Sequence, residues 1–409
     1  MFSYKSLTSS FYKLFISTYL LFFISIQTPF GGLTIDRMLV FVIFFLIIAK
    51  FKHRFSLFGS SIFSFIIFIT LSKILYLGEL HPKYSMALFC MLTLYISYRI
   101  GKLNIDFNRY IVFSYLIVLS ISVYSISEFI SNGVIPSSFS FLDSLPFVRS
   151  VNYEHMAEVN MSYLFPRLSL PYPTPPQLSL VLAMYSFYFL SQLLLKKSKL
   201  VFGLLLTSIM LMFATISRSG IIPFIVISFL YYNVASKKSF LSRYASLTIS
   251  TALIIFSISV FSQDLTTILY DRFFGSSLSG FTSGHSSARL VGLNLFMEGS
   301  PVQMLFGQGI GNYIGIHAHM TTITYLVEIG LIGLFLFVFL FFQRIIICYR
   351  FYKRFPNNGG SHLYELMLLL MIFFAMALYE FTYVVPLYIF MGLAAGNSYN
   401  ESRKLFRND

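Results

Sequence analysis

Long apolar stretches alternate with short polar ones along almost the whole chain. The stretches are close to the roughly 20 residues that an α-helix needs to cross the hydrocarbon core of a bilayer. The pattern predicts about twelve membrane spans, at residues 11–27, 33–49, 57–78, 83–99, 108–130, 176–195, 199–216, 219–235, 244–262, 319–343, 362–380 and 382–398. We therefore expect an all-α, polytopic membrane protein whose residues 1–409 form a single transmembrane domain.

Composition and charge agree with this expectation. Hydrophobic residues make up 57% of the chain, charged residues only 11%, and the mean hydropathy is +0.77, which excludes an ordinary soluble domain. Of the 29 lysines and arginines, 21 fall at the ends of spans that would share one side of the membrane. The positive-inside rule makes that side the cytoplasm and places both termini there. The net charge of +14 then reflects membrane insertion and does not indicate nucleic acid binding.

Two predicted external loops are long, at residues 131–175 and 263–318. The first ends in a proline-rich stretch that is predicted to be extended, because proline disfavours helix. In the second, Leu290, Leu293 and Met297 have the i, i+3, i+7 spacing of a short amphipathic helix lying on the membrane or over a cavity.

Four arginines, Arg167, Arg218, Arg272 and Arg289, fall on the external side, where few cations are needed. A guanidinium group binds phosphate through two parallel hydrogen bonds, so these residues are candidates to hold an anion, with the Ser217 hydroxyl as a further donor. Plainer interpretations stay open. Arg218 fits a snorkelling residue at a helix end, and the others fit solvated loop residues or, for Arg272, a partner of Asp271.

Glycines at 307, 309 and 311 precede His317 and His319. No strand precedes these glycines, so a dinucleotide site is not indicated, and we expect a tight turn that re-enters the membrane. Two histidines without neighbouring cysteines or a set of carboxylates do not make a zinc site. A histidine at the outer mouth of a span is suited to proton transfer, or it simply caps the helix. Glu328, well inside the tenth span, is a functional candidate or a structural partner.

These residues resemble the signature of the O-antigen polymerase and O-antigen ligase superfamily. The resemblance covers roughly residues 210–335. Its pieces are Ser217-Arg218-x-Gly220, Ser287-x-Arg289, Pro301, Phe306-Gly307-x-Gly309, His319 and Glu328-x-Gly330-x-x-Gly333. Met320 departs from the pattern, since the family often has Asn or Ser after the histidine.

The resemblance implies a C-type glycosyltransferase fold in the bacterial inner membrane, with the active site facing the periplasm. The donor and the acceptor would be undecaprenyl-pyrophosphate-linked oligosaccharides, with no metal or nucleotide cofactor and a chain-length regulator protein as a further partner. The resemblance assigns catalytic roles to His319, Arg218 and Arg289. The residues expected to bind pyrophosphate or glycan are Arg167, Arg272, His317, Ser217 and Tyr325.

Three functions fit these observations. An O-antigen polymerase is favoured, and the O-antigen ligase, which transfers the finished polymer to lipid A core, shares the same motifs. A polysaccharide flippase or other transporter would also have many spans and intramembrane charges. The gathering of charged candidates in external loops favours chemistry at the membrane surface over transport.

Overall fold

The computed structural model describes residues 24–26, 40, 56–75, 82–103, 107–133, 148–150, 167–172, 174–235, 286–310, 320–356 and 360–408. These residues are helical apart from connecting segments and one antiparallel pair of three-residue strands. The strands are β1 (Ile24–Ile26) and β2 (Val148–Ser150), with Ser25 opposite Arg149. Strand β1 occupies the end of the predicted span 11–27. These three residues were expected to be helical, and they form a strand instead.

The helices in the described ranges follow the predicted apolar stretches closely. They are α1 (Leu57–Leu75), α2 (Pro82–Gly101), α3 (Asn108–Asn132), α4 (Pro175–Lys196), α5 (Lys199–Ala214), α6 (Arg218–Ala235), α7 (Ser286–Met297), α8 (Pro301–Phe306), α9 (Thr321–Arg354), α10 (Gly360–Leu378) and α11 (Val385–Asn408). Nine predicted spans correspond to helices within these ranges. The spans predicted at 33–49 and 244–262, and most of 11–27, lie outside the described residues.

Five of these helices, α3, α4, α6, α9 and α10, are long and apolar enough to cross a membrane. Helix α5 and residues 57–72 of α1 are also apolar but shorter. The prediction of a helical, multi-pass membrane protein is therefore confirmed for the part of the chain that the structure describes.

Contacts along α4 give the directions of its neighbours. Near the start of α4, Ser179 Oγ lies 3.4 Å from the carbonyl oxygen of Ser217, just before α6. Further along, the Phe187 ring contacts Tyr231 near the end of α6 and Tyr364 near the start of α10, with ring centroids 5.0 and 5.4 Å apart. Helix α6 therefore runs parallel to α4, and α10 runs antiparallel to both.

The two ends of this helix bundle differ in charge. We call the end at which α4, α6 and α11 finish the basic end, because the exposed cations of the described helices gather there, among them Arg109, Lys196, Lys197, Lys353 and Arg354. The opposite end, which carries residues 167–172 and 174 together with α7 and α8, we call the loop end.

Helices α2 and α11 pack side by side through glycines. A Cβ atom on Gly396 would lie 2.5 Å from the carbonyl oxygen of Tyr98, and one on Gly392 would lie 2.5 Å from Cβ of Ser97. Small residues allow membrane helices to approach closely where the hydrophobic effect supplies little attraction between them. Because α2 and α11 run parallel, Gly101 also reaches the basic end beside Gly396.

Helix α7 is the amphipathic helix that the spacing in the second long loop predicts. Its stripe of Leu290, Leu293 and Met297 is exposed, and the side chain of Met297 is 67% accessible. An exposed apolar stripe is expected for a helix that contacts lipid. Helix α8 follows directly and starts with a capping box between Ser300 and Gln303.

Helix α9 is interrupted at Gly330, where φ is +67° and ψ is −173°. The span predicted at 319–343 is therefore not one continuous helix. Residues 321–329 form a short half at the loop end, and the second half runs from 331 to Arg354. The Gly307–Gly309 segment packs against the helix at this break.

Candidate functional site

Arg167 caps the end of α5 at the loop end. Its side chain is buried, and its Nε and Nη2 atoms donate hydrogen bonds to the carbonyl oxygens of Thr215 and Ile216, at 3.2 and 3.3 Å. The last carbonyls of a helix have no partner within the helix, so an arginine here satisfies acceptors that would otherwise lack one. The backbone N–H of Leu168 also donates to Ala214, which fixes the segment against the helix end.

The motif Ser217-Arg218-x-Gly220 forms the first turn of α6. Arg218 is half-buried at the start of the helix, and Ser217 is buried with its Oγ 2.9 Å from Oγ of Ser219. A Cβ atom on Gly220 would lie 2.3 Å from Oγ of Ser179 and 2.7 Å from its carbonyl oxygen. Glycine at 220 therefore lets α6 approach α4, which positions Arg218 at the loop end.

Arg289 extends from α7 to the end of α10. Its Nη2 atom donates a 3.0 Å hydrogen bond to the carbonyl oxygen of Leu378, the last residue of α10. Its Nε atom is buried and has no hydrogen-bond partner among the described residues. The guanidinium is thus held in position by a neutral acceptor, with one buried N–H group left over.

The start of α9 is tied to the same turn. Thr321 Oγ1 donates to the carbonyl oxygen of Tyr379 at 3.0 Å and accepts from the backbone N–H of Phe381 at 2.8 Å. Thr321 comes two residues after His319. Arg289 and the beginning of α9 therefore share the segment 378–381 at the end of α10. Helix α6, which begins with Arg218, packs against α10.

The Gly307–Gly309 segment packs against α9 at its break. The backbone N–H groups of Gln308 and Gly309 donate to the carbonyl oxygens of Val327 and Glu328, at 2.8 and 3.0 Å. Gly307 has φ +81°, and a Cβ atom there would lie 2.3 Å from the carbonyl oxygen of Glu328. A Cβ atom on Gly330 would in turn lie 2.4 Å from the backbone nitrogen of Gly307. The motifs Phe306-Gly307-x-Gly309 and Glu328-x-Gly330 thus form one module in which the two backbones are in direct contact.

Glu328 is fully buried beside this module. Its Oε1 atom lies 3.9 Å from Nζ of Lys83, and its Oε2 atom accepts a 3.1 Å hydrogen bond from the hydroxyl of Tyr383. Lys83, near the start of α2, is the cationic partner of this carboxylate.

Tyr325 lies in the aromatic core. Its ring centroid is 4.4 Å from that of Phe337 and 6.3 Å from that of Phe65, and its hydroxyl lies 3.5 Å from that of Tyr388. Its side chain is almost fully buried, which is the environment of a packing residue. Arg272, His317 and His319 lie outside the described residues.

A second polar cluster lies inside the bundle near the basic end. Arg344 donates to both carboxylate oxygens of Glu365 at 2.7 Å, and Ser398 also donates to that carboxylate. The predicted span ends at residue 343, which would have left Arg344 in a cytoplasmic loop, whereas α9 continues to Arg354 and buries it. The apolar residues at 345–348 and 351 are the sequence signal that the helix continues.

Ligand-type atoms of Cys348, His362 and Glu365 in this cluster lie within 4.8 Å of one another. Both oxygens of Glu365 already accept hydrogen bonds from Arg344, and Nε2 of His362 lies 2.8 Å from Oγ of Ser402. The arrangement therefore serves as a buried ion pair that joins α9, α10 and α11.

In comparisons with known proteins, no protein-family model and no curated protein sequence matches this chain.

Proposed function

We propose that this protein is an inner-membrane glycosyltransferase that joins lipid-linked oligosaccharide repeat units, as an O-antigen polymerase does. The proposal is supported by the presence of two separate arginine motifs at the loop end. Arg218 begins α6, Arg289 is fixed to the last carbonyl of α10, and these two helices pack against each other.

The electrostatics of this end suit a pyrophosphate. Arg218 lies in the first turn of α6, where the helix dipole favours an anion. Arg289 adds a second guanidinium, whose only described acceptor is the uncharged Leu378 carbonyl. A neutral acceptor fixes the side chain without cancelling its charge. Two guanidinium groups at this end match an anion that has two phosphate groups.

In the proposed reaction a hydroxyl group of the acceptor glycan attacks the anomeric carbon of the donor. The new glycosidic bond forms as the bond between that carbon and the phosphate oxygen breaks, and the electron pair leaves with undecaprenyl pyrophosphate. Negative charge grows on the phosphate oxygens during this step, so Arg218 and Arg289 stabilise the transition state more than the ground state. The hydroxyl proton passes to His319 or to the departing pyrophosphate.

The Gly307–Gly309 segment supports the same site. It belongs to the loop that leads to His319 and is fixed by two backbone hydrogen bonds to α9. Broken membrane helices are common in transporters, where free carbonyls coordinate ions. Here the Val327 and Glu328 carbonyls at the break already accept hydrogen bonds from Gln308 and Gly309, so this break offers no specific argument for transport.

The decisive experiment is a lipopolysaccharide gel from a strain that lacks this gene, with and without the gene returned. Core carrying a single repeat unit, without the ladder of longer chains, is the result expected for a polymerase. Bare core with accumulation of lipid-linked polymer would identify a ligase instead. An unchanged ladder would contradict both activities.

A further inference from the structure

A partly enclosed cavity of about 300 Å³ lies at the basic end, opposite the proposed catalytic site. It is formed by the starts of α3 and α10, the end of α4, the middle of α11, and Tyr231 near the end of α6. Its volume falls at the lower limit for sites that bind small molecules. Neither Arg218, Arg289 nor the Gly307–Gly309 segment lines it.

The lining changes from polar to apolar with depth. Asn108 and Gln192 lie near helix ends, Asn397 is exposed in the middle of α11, and the three form a rim of amide groups. Ile111 and Phe390 lie deeper in the bundle, and Phe390 is seven residues before Asn397, which is roughly 10 Å along a helix. The cavity therefore suits a molecule with an apolar chain and a polar head that points out of the membrane.

The rim also connects to the lipid-facing surface and to positive charge. Leu195 forms part of the wall, yet its side chain is 72% exposed, so the cavity is continuous with an apolar outer surface. Arg109 follows the wall residue Asn108, and Lys196 and Lys197 follow Leu195. These three cations are exposed at the level where lipid headgroups lie.

We propose that the cavity binds an anionic phospholipid of the leaflet at the basic end. One acyl chain would occupy the apolar floor, and the phosphate would contact Arg109, Lys196 and Lys197. The apolar floor and the continuity with the lipid-facing surface favour a lipid over a soluble anion, and the three cations favour an anionic headgroup over a zwitterionic one. This binding does not depend on the proposed glycosyltransferase activity.

The absence of tryptophan from the chain provides a direct test. A single tryptophan would be introduced into the cavity wall as Gln192→Trp, and in a second variant as Asn397→Trp. The matched control is Leu200→Trp. Leu200 lies near the start of α5, at the basic end, and is 70% exposed. Each full-length variant would be reconstituted in phosphatidylcholine vesicles containing increasing amounts of phosphatidylglycerol brominated in its acyl chains, which quenches nearby tryptophan.

At low fractions of the brominated lipid, fluorescence of both cavity variants should be quenched well before that of the control. Brominated phosphatidylcholine should not reproduce this preference. Replacing Lys196 and Lys197 by glutamine in the Gln192→Trp background should weaken the preference about fivefold for each cation removed. Equal quenching of the cavity and control variants at every fraction would overturn the proposal, and so would a preference that is insensitive to the headgroup.

A measurement on the unlabelled protein guards against damage by the introduced tryptophans. Native mass spectrometry of the full-length protein in detergent should show phosphatidylglycerol that stays bound after phosphatidylcholine has been removed. Ala394→Leu, which fills the cavity from α11, should abolish this adduct, whereas Leu200→Ala on the outer surface should retain it. Absence of the adduct from the wild-type protein, or its survival in Ala394→Leu, would contradict binding in the cavity.

Discussion

Arg344 and Arg289 place the same chemical group in opposite electrostatic settings. Near the basic end, Arg344 donates to both oxygens of Glu365, so its charge is cancelled inside the bundle. At the loop end, Arg289 donates to the uncharged carbonyl of Leu378, and its buried Nε has no partner among the described residues. The comparison separates a guanidinium that joins helices from one whose charge remains available to an anion.

The largest effect on stability is expected from Arg344→Ala. Removal of one partner from a buried ion pair leaves the other charge uncompensated, at a cost of about 3–5 kcal/mol. Glu365 is fully buried and would be that charge. Thermal unfolding of the purified protein should show a large decrease, and the amount of folded protein in membranes should fall.

The double variant Arg344→Met/Glu365→Leu is the control for this prediction. Replacing both partners by apolar side chains is often close to neutral, because no charge is left buried. The double variant should therefore be more stable than Arg344→Ala. If the single variant proves as stable as the double variant, the ion pair contributes little to stability. Arg344 would then not differ from Arg289 in its structural role.

Arg289→Ala should act on activity with little effect on the fold. Loss of one donor at a site where charge develops lowers catalytic rates by about 10² to 10³, whereas the lost hydrogen bond to Leu378 costs about 1 kcal/mol of stability. Long-chain product on the lipopolysaccharide gel should therefore disappear while the unfolding temperature stays near that of the wild type. Arg218→Ala and His319→Ala should give the same result.

Two further variants sharpen this prediction. Arg289→Lys should also be poor, because a single ammonium group cannot replace the planar fork of the guanidinium. Lys353→Ala removes an exposed cation at the basic end and should leave the ladder intact. Full activity of Arg289→Lys would argue against bidentate binding of phosphate.

The sequence predicts the helices well because the length of each apolar stretch reflects the length of helix that must face lipid. It does not predict the break at Gly330, since an apolar stretch reads the same whether the helix is continuous or interrupted. The break depends on the Gly307–Gly309 segment, which is distant in sequence and satisfies the freed carbonyls. The partners of Lys83, Glu328 and Arg344 are likewise distant in sequence, so the hydropathy pattern does not predict these contacts. For Tyr325, no pattern of polar residues in the sequence distinguishes a substrate-binding tyrosine from a tyrosine of the core.

Gly330→Ala tests whether the break is built into the fold. Its backbone conformation is almost exclusive to glycine, at a cost of about 1–3 kcal/mol for other residues, and the new Cβ would overlap the backbone of Gly307 and Leu305. Unfolding should therefore require about 3 kcal/mol less. Gly203 lies in the second turn of α5, and in Gly203→Ala the new Cβ meets no neighbouring atom within 4 Å, so that variant should be slightly more stable than the wild type. Equal stability of the two variants would contradict the close packing at Gly330.

The smallest of these effects is expected for Arg167→Ala, and it places the third arginine on one side of the comparison. Arg167 is buried and donates to the carbonyls of Thr215 and Ile216, so its loss leaves two acceptors without that partner and costs about 2 kcal/mol. We expect less folded protein, with the activity of each folded molecule largely retained. Quantifying the ladder against the amount of folded protein distinguishes the two roles. A hundredfold loss of activity at an unchanged unfolding temperature would group Arg167 with Arg289 as an anion-binding residue, the role that the resemblance implies for it. A loss of stability alone would group it with Arg344, as a guanidinium whose function is to hold helix ends together.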